Sequence, residues 1–136
     1  VGISAEAVGV LETLLQKTVE YSKTRKQFGT VIGTFQALQH RMADMFIECQ
    51  LARSIVVMAA MKLDSSAGQR EKTKAVSAAK SRVGKAIRKV SQEAVQIHGG
   101  IGVTNELDVG HYFKRATALE IMFGNTDYHV ERFASL

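Results

Sequence analysis

Two short stretches of the sequence carry groups suited to holding a charged ligand. The first, TRKQFG, sets Arg25, Lys26 and Gln27 just ahead of a turn, followed by Phe28 and Gly29. A guanidinium's planar fork matches phosphate oxygens in pairs, and an adjacent amide adds directional hydrogen bonds. The second, QIHGGIG, runs from Gln96 through Ile97 and His98 into Gly99, Gly100 and Gly102. Backbone without side chains approaches a flat or anionic ligand closely, and its N–H groups can face that ligand. Each stretch also has an ordinary reading, a solvated helix end for the first and a glycine C-cap for the second.

Other groups carry less. Glu120 lies among apolar residues in ATALEIMFGN. A carboxyl in such a setting can titrate high enough to abstract a proton. The amphipathic pattern instead favours an outward-pointing Glu120. His98 follows an apolar stripe into the glycines, where it caps carbonyls or meets a ligand. His40, His111 and His129 have no spacing that makes a metal site. No nucleophile stands beside a matched base, and neither a Walker-type loop nor a dinucleotide fingerprint is present. The single Cys49 excludes an intramolecular disulfide framework and reads as a small buried hydrophobe in a reducing compartment.

The net charge of +5, from 18 Lys and Arg against 13 Asp and Glu, raises nucleic acid as a partner. Much of the excess falls in EKTKAVSAAKSRVGKAIRKV, where Lys72, Lys80, Arg82, Lys85, Arg88 and Lys89 interleave with Val76, Ala79, Val83, Ala86, Ile87 and Val90. That spacing describes an amphipathic helix with a wet basic face, and no nucleic-acid motif accompanies it. A nucleic-acid partner is therefore not expected. No apolar run reaches the roughly 20 residues of a membrane span, and the start lacks a signal pattern, so an intracellular protein is expected.

The elements that must position these residues read as helices throughout. The first spans about Ile3 to Thr24, with Ala7, Val8, Leu11, Leu15 and Val19 on one stripe. RKQFGTVIGT interrupts it, and Thr34 is the expected N-cap of a second helix from Phe35 to about Asp64. Leu38, Met42, Met45, Phe46, Cys49, Ala52, Ile55, Val56 and Ala59 recur there at helical spacing, which predicts one buried side along most of its length. After the loop DSSAGQ, a third helix runs from about Gln69 to His98. A fourth covers roughly Leu107 to Met122, and a short last one Asp127 to Ala134, capped by Asn125 or Thr126. Nothing alternates with period two for long enough to predict a strand. The expected fold is all-α, an up-and-down four-helix bundle with a short extra C-terminal helix. The chain opens inside a helical pattern with no Met and no cap signal, as though cut from something longer.

Taken together, YSKTRKQFGTVIGTFQALQHRMADM and, later, AVQIHGGIGVTNE resemble the C-terminal helical domain of the acyl-CoA dehydrogenase family of flavoproteins. The likeness extends over nearly the whole chain, with both motifs in the family's order and separation. It implies that residues 1–136 are one such domain, without the N-terminal helical and middle β-domains. It implies FAD as the cofactor, contacted on its pyrophosphate and adenine side across a dimer interface. The positions that match are Arg25, Lys26 and Gln27, with Phe28 packing nearby, and Gln96, Ile97, His98, Gly99 and Gly100. Phe35 and Gln36 match a pair lining the flavin nucleotide. Asn125, Thr126 and Asp127 match a segment that also touches FAD, and Gly124 the substrate-facing glycine before it.

One position departs from that pattern. Where many relatives carry the glutamate that removes the α-proton of an acyl-CoA thioester, this chain has Phe123, and a phenyl ring accepts no proton. Glu120, one turn earlier, does not inherit the role for being acidic. No catalytic residue is therefore assigned within the chain. The resemblance implies a base upstream of Val1, or alternatively a non-catalytic subunit completing a partner's FAD site in a heteromer. It further implies acyl-CoA as substrate, an electron-transfer flavoprotein as acceptor, and homo- or hetero-oligomers, for which Met42, Met45, Met58 and Met61 offer adaptable surface. A bacterial cytoplasm is the expected location, with the mitochondrial matrix as the alternative. The isolated chain is expected to hold FAD weakly, because a partial pocket does not offset the cost of ordering a large ligand.

Overall fold

The computed structural model describes all of residues 1–136. Five helices account for most of it: α1 (Gly2–Thr24), α2 (Gln36–Asp64), α3 (Gln69–His98), α4 (Val109–Ile121) and α5 (Thr126–Ser135). The fold is the expected all-α bundle with its short C-terminal helix. No helix is long and apolar enough to cross a membrane.

Helix α3 is the central element, packed against each of the other four. Its sequence explains why. One row of small and apolar residues, Ala75, Ala79, Val83, Ala86 and Val90, is buried. A second, Ser77, Lys80, Gly84, Ile87, Ser91 and His98, is buried beside it. Two adjacent buried rows leave only a narrow wet face. The basic residues therefore divide: Lys85, Arg88 and Lys89 stay in water, whereas Lys80 is only 5% exposed. Lys80 was expected on the wet face, and the stripe of small residues that surrounds it draws it inward instead.

The α1 stripe is also displaced from the expected one. Ala7, Leu11, Leu14, Thr18 and Ser22 are buried, while Leu15 and Val19 lie at the margin. Hydroxyls are tolerated inside because each is satisfied by its own helix: Thr18 donates to the Leu14 carbonyl at 2.7 Å and Ser22 to the Val19 carbonyl at 2.7 Å. Leu11, Leu14, Met45 and Leu119 are the largest fully buried side chains, and truncating any of them to Ala costs about 2–5 kcal/mol.

Helix α2 buries a narrow stripe, Met45, Cys49, Ala52, Val56 and Ala59. Its outer side shows Phe46, Ile47, Leu51, Val57, Met58 and Met61 to solvent. Phe46, expected on the buried stripe, is among these. Burial pushes the Cys49 thiol up to about 12, consistent with an inert core residue.

Two expectations fail between α1 and α2. The chain there forms a hairpin of two-residue strands, β1 (Lys26–Gln27) and β2 (Thr30–Val31), too short to show any alternation in sequence. Thr34 does not cap α2 but closes the 3-10 turn Ile32–Thr34, its hydroxyl donating to the Val31 carbonyl at 2.7 Å. Phe35 holds the N-cap position with no side-chain hydrogen bond. At α5 the expected cap is present: Asn125 Oδ1 accepts from the Tyr128 N–H at 2.9 Å.

Candidate functional site

The largest cleft, about 490 Å³, opens between the hairpin and the end of α3. On one side, α1 stops as Arg25 turns extended, and the Ile32 N–H donates back to the Arg25 carbonyl at 2.8 Å, closing the hairpin. Phe28 and Gly29, the two loop residues, both have positive φ, at 56° and 77°. That pair of signs matches a type I′ turn, which follows the right-handed twist of the strands. The turn carries Phe28 outward to 92% exposure, its ring edge-on to Phe35 with centroids 6.2 Å apart.

The opposite wall is the glycine turn. Gly99 has φ 67° and ψ −150°, a conformation open essentially to glycine alone. Its N–H is spent on the Gln96 and Val95 carbonyls, so it is not a bare donor as its sequence context implies. Gly100 has open space where a side chain would stand. Gly102 instead lets the 3-10 turn Gly99–Val103 fold onto α3, since a Cβ there would meet His98 Cβ at 2.8 Å.

Nine of the predicted contact residues line this one cleft: Arg25, Gln27, Phe28, Phe35, Gln96, Ile97, His98, Gly99 and Gly100. Tyr21, Ile32, Leu38 and Ile101 complete it. Sequence reasoning missed these four because they read as ordinary apolar helix and turn positions. Lys26 and Gln36 are exposed close by in sequence but do not line it. The wall contains one guanidinium, two carboxamides, aromatic and aliphatic surface, and no carboxylate. Such a donor set suits an anion attached to a flat ring system. His98 is buried with Nδ1 against the Ala94 carbonyl at 2.7 Å, and burial holds its pKa below the ordinary histidine value. It therefore serves as a neutral ring in the wall.

Gly124, Asn125, Thr126 and Asp127 lie elsewhere, at the turn from α4 into α5. Phe123 is held there at φ 59° with 78% of its surface exposed. Gly124 follows at φ 96°, pressed so closely that a Cβ would fall 2.4 Å from Tyr128 Cδ1. Thr126 is turned inward, its N–H and hydroxyl both donating to Glu120 Oε1, at 3.1 and 2.8 Å.

Glu120 itself corrects an expectation, being 7% exposed rather than outward-facing. Burial raises its pKa, but the two Thr126 hydrogen bonds and Arg88, 3.1 Å away, outweigh it and leave the carboxyl below its ordinary value. A carboxylate so engaged is a structural anion and a poor base. His129 Nε2 donates to the Phe123 carbonyl at 2.9 Å, and burial lowers its pKa too.

Residues 1–135 match the family model described as acyl-CoA dehydrogenase, C-terminal domain. This chain belongs to the acyl-CoA dehydrogenase family. It is 45% identical over 114 residues to acyl-CoA dehydrogenase IpdE2 of Mycolicibacterium smegmatis, an alignment covering 84% of this chain and 34% of that protein. The butyryl-CoA dehydrogenase structure from Megasphaera elsdenii superposes with a TM-score of 0.91 at 32% identity, over 98% of this chain and 34% of that one. The FAD complex of PigA does so at 0.87 and 29% identity, over 97% and 34%. The chain thus spans about a third of the length of the relatives it matches.

Proposed function

We propose that this chain is the C-terminal helical domain of an FAD-dependent acyl-CoA dehydrogenase, in which the cleft holds the diphosphate and adenine side of FAD and the Gly124 loop faces an acyl-CoA thioester. The observation that carries this reading is the meeting of Arg25–Phe28 and Gln96–Gly100, far apart in sequence, on one acid-free cleft. Family membership and the likeness to a structure in complex with FAD support it.

FAD, when bound, supplies the hydride acceptor for oxidation between the α and β carbons of the acyl chain. The residues of this chain bind and orient. Arg25 balances phosphate charge through paired N–H donors. Gln27 and Gln96 add hydrogen bonds, while Phe28 and Phe35 offer ring faces. Gly99 and Gly100 leave room for close approach. Phe35 and Gln36 extend the contact along the flavin nucleotide, Asn125 and Asp127 border the loop, and Thr126 shapes it from below. Phe123 accepts no proton and Glu120 is committed to Thr126 and Arg88, so the α-proton goes to a base outside this loop. An electron-transfer flavoprotein takes the electrons, and the protein works as an oligomer in a bacterial cytoplasm.

The test uses the whole protein that carries this chain. Purified, it should show a flavin absorbance band that bleaches when a saturated acyl-CoA is added anaerobically, with the trans-2-enoyl product found by mass spectrometry. Residues 1–136 expressed alone should emerge colourless from gel filtration. A colourless whole protein that cannot be reconstituted with FAD would refute the assignment.

A further inference from the structure

We propose that Lys80 is the positioning residue of the Phe123–Gly124 loop, a buried cation that gathers the carbonyls of Glu120 and Gly124 onto one ammonium and so fixes the outward display of the Phe123 ring. This rests on the reading that the loop faces acyl-CoA.

The need for such a clamp comes from helix geometry. Helix α4 ends at Ile121, and the Gly124 N–H goes to the Ile121 carbonyl, so the Glu120 carbonyl has no backbone donor from a following turn. Lys80 reaches across from α3 and donates to the Glu120 carbonyl at 2.7 Å and the Gly124 carbonyl at 2.8 Å. These are short, charge-assisted bonds, and a cation at a helix C-terminus also meets the negative end of its dipole. Between the two bonded carbonyls sits Phe123, a bulky residue held at positive φ. Non-glycine residues persist there only where surrounding contacts over-determine the backbone.

That condition is met on every side. The Phe123 carbonyl faces His129 Nε2, the Gly124 N–H donates to the Ile121 carbonyl at 3.2 Å, and Glu120 Oε1 ties the start of α5 to the end of α4. The charged group beside the ammonium is Glu120, itself paired with Arg88, and the His129 imidazole, its pKa lowered by burial, lies on the same loop. Burial works against the Lys80 charge and Glu120 supports it. A cation is placed where it is costly to bury, and both of its bonds go to the backbone that displays Phe123.

The experiment uses the FAD-loaded whole protein with Phe123 replaced by an encoded coumarin amino acid, a fluorophore that no natural residue shares. Adding Lys80→Met should lower the reporter's anisotropy toward that of a mobile side chain and raise the acyl-CoA dissociation constant about tenfold, with FAD content unchanged. Lys80→Arg should restore part of both. Anisotropy unchanged by Lys80→Met would overturn the clamp. Failure of the protein that retains Lys80 to bind acyl-CoA would instead refute the functional reading, with the anisotropy result still deciding the role of Lys80. If Lys80→Met does not fold, hydrogen exchange on the Lys80→Arg protein decides. Faster exchange of the Gly124 and Thr126 amides than in the unaltered protein, with α3 unchanged, would support the clamp, and unchanged exchange at both would overturn it.

Discussion

Tyr21 stacks on His98 with ring centroids 4.4 Å apart and planes at 25°, while its hydroxyl donates to the His98 carbonyl at 3.3 Å. This pair ties the last turn of α1 to the start of the glycine turn, so the two walls of the cleft are joined by one contact. Tyr21→Phe loses only the long hydrogen bond and should cost under about 1 kcal/mol. Tyr21→Ala also loses the stack and should cost about 3 kcal/mol. Thermal unfolding of the two variants should separate them clearly. Equal costs would show that the stack contributes nothing.

Arg25 should act on the ligand and leave the fold alone. No carboxylate pairs with it in the chain, so its removal breaks no internal ion pair. In the whole protein, Arg25→Gln should weaken FAD binding about 10- to 100-fold, the value of a hydrogen-bonded charge, with the melting temperature of the apoprotein unmoved. Arg25→Lys should recover only part, because an ammonium lacks the forked geometry. Flavin-to-protein ratios after gel filtration, and titration with FAD, would report both.

Much of this arrangement is legible in the sequence. The DSSAGQ loop and the glycines after His98 bracket α3 at the residues where it begins and ends. The convergence of Arg25 and Gly100 came from resemblance to a family, since periodicity contains no information about which loops meet. What stayed hidden depends on contacts between distant elements. Glu120 and Lys80 have sequence neighbours compatible with either face, and each is drawn inward by the other's helix. A signal for Lys80 was available: it falls on the row Ser77, Gly84, Ile87 and Ser91, too small and apolar to be a wet face. The hairpin at Lys26–Val31 was invisible because two-residue strands have no period to detect.

Gly84 should tolerate no side chain. A Cβ there would lie 2.1 Å from Thr126 Oγ1 and near Glu120 Oε1, where α3 meets the start of α5. Gly84→Ala should therefore destabilise by about 1–3 kcal/mol through overpacking, despite alanine's better helix propensity. Thr126→Ala removes the clashing hydroxyl along with its bond to Glu120. Combined, the two should cost less than the sum of the single changes by about 1 kcal/mol, as expected of residues in contact. Strict additivity in chemical denaturation would contradict the packing described.

The buried imidazoles predict an acid-side loss of stability in two stages. His98 and His129 have folded pKa values held below 6.5 by burial, so between the folded value and 6.5 the unfolded chain binds more protons. Stability is then fully present above pH 6.5 and declines as pH falls through the folded values. Glu120, also lowered in the folded state, adds a second loss as pH drops below 4.5. Melting temperatures from pH 8 to pH 4 should show the first decline, and His129→Gln should flatten it. A melting temperature that rises from pH 6.5 to pH 5 would reverse the sign argued here.

The outer side of α2 should be an assembly surface. Phe46, Ile47, Leu51, Val57, Met58 and Met61 all lie exposed on one helix whose other side is already in the core. A helix apolar on both sides is characteristic of one buried twice, and contiguous apolar patches of this kind mark interfaces. Two changes on this face, Phe46→Glu and Met58→Glu, remove no core contact. They should leave the helical content intact while shifting the whole protein toward smaller species in analytical ultracentrifugation. The dissociation should deepen on dilution, since mass action opposes a weakened interface most at low concentration. An unchanged sedimentation profile, with both substitutions in place, would show that this face of α2 is no assembly surface.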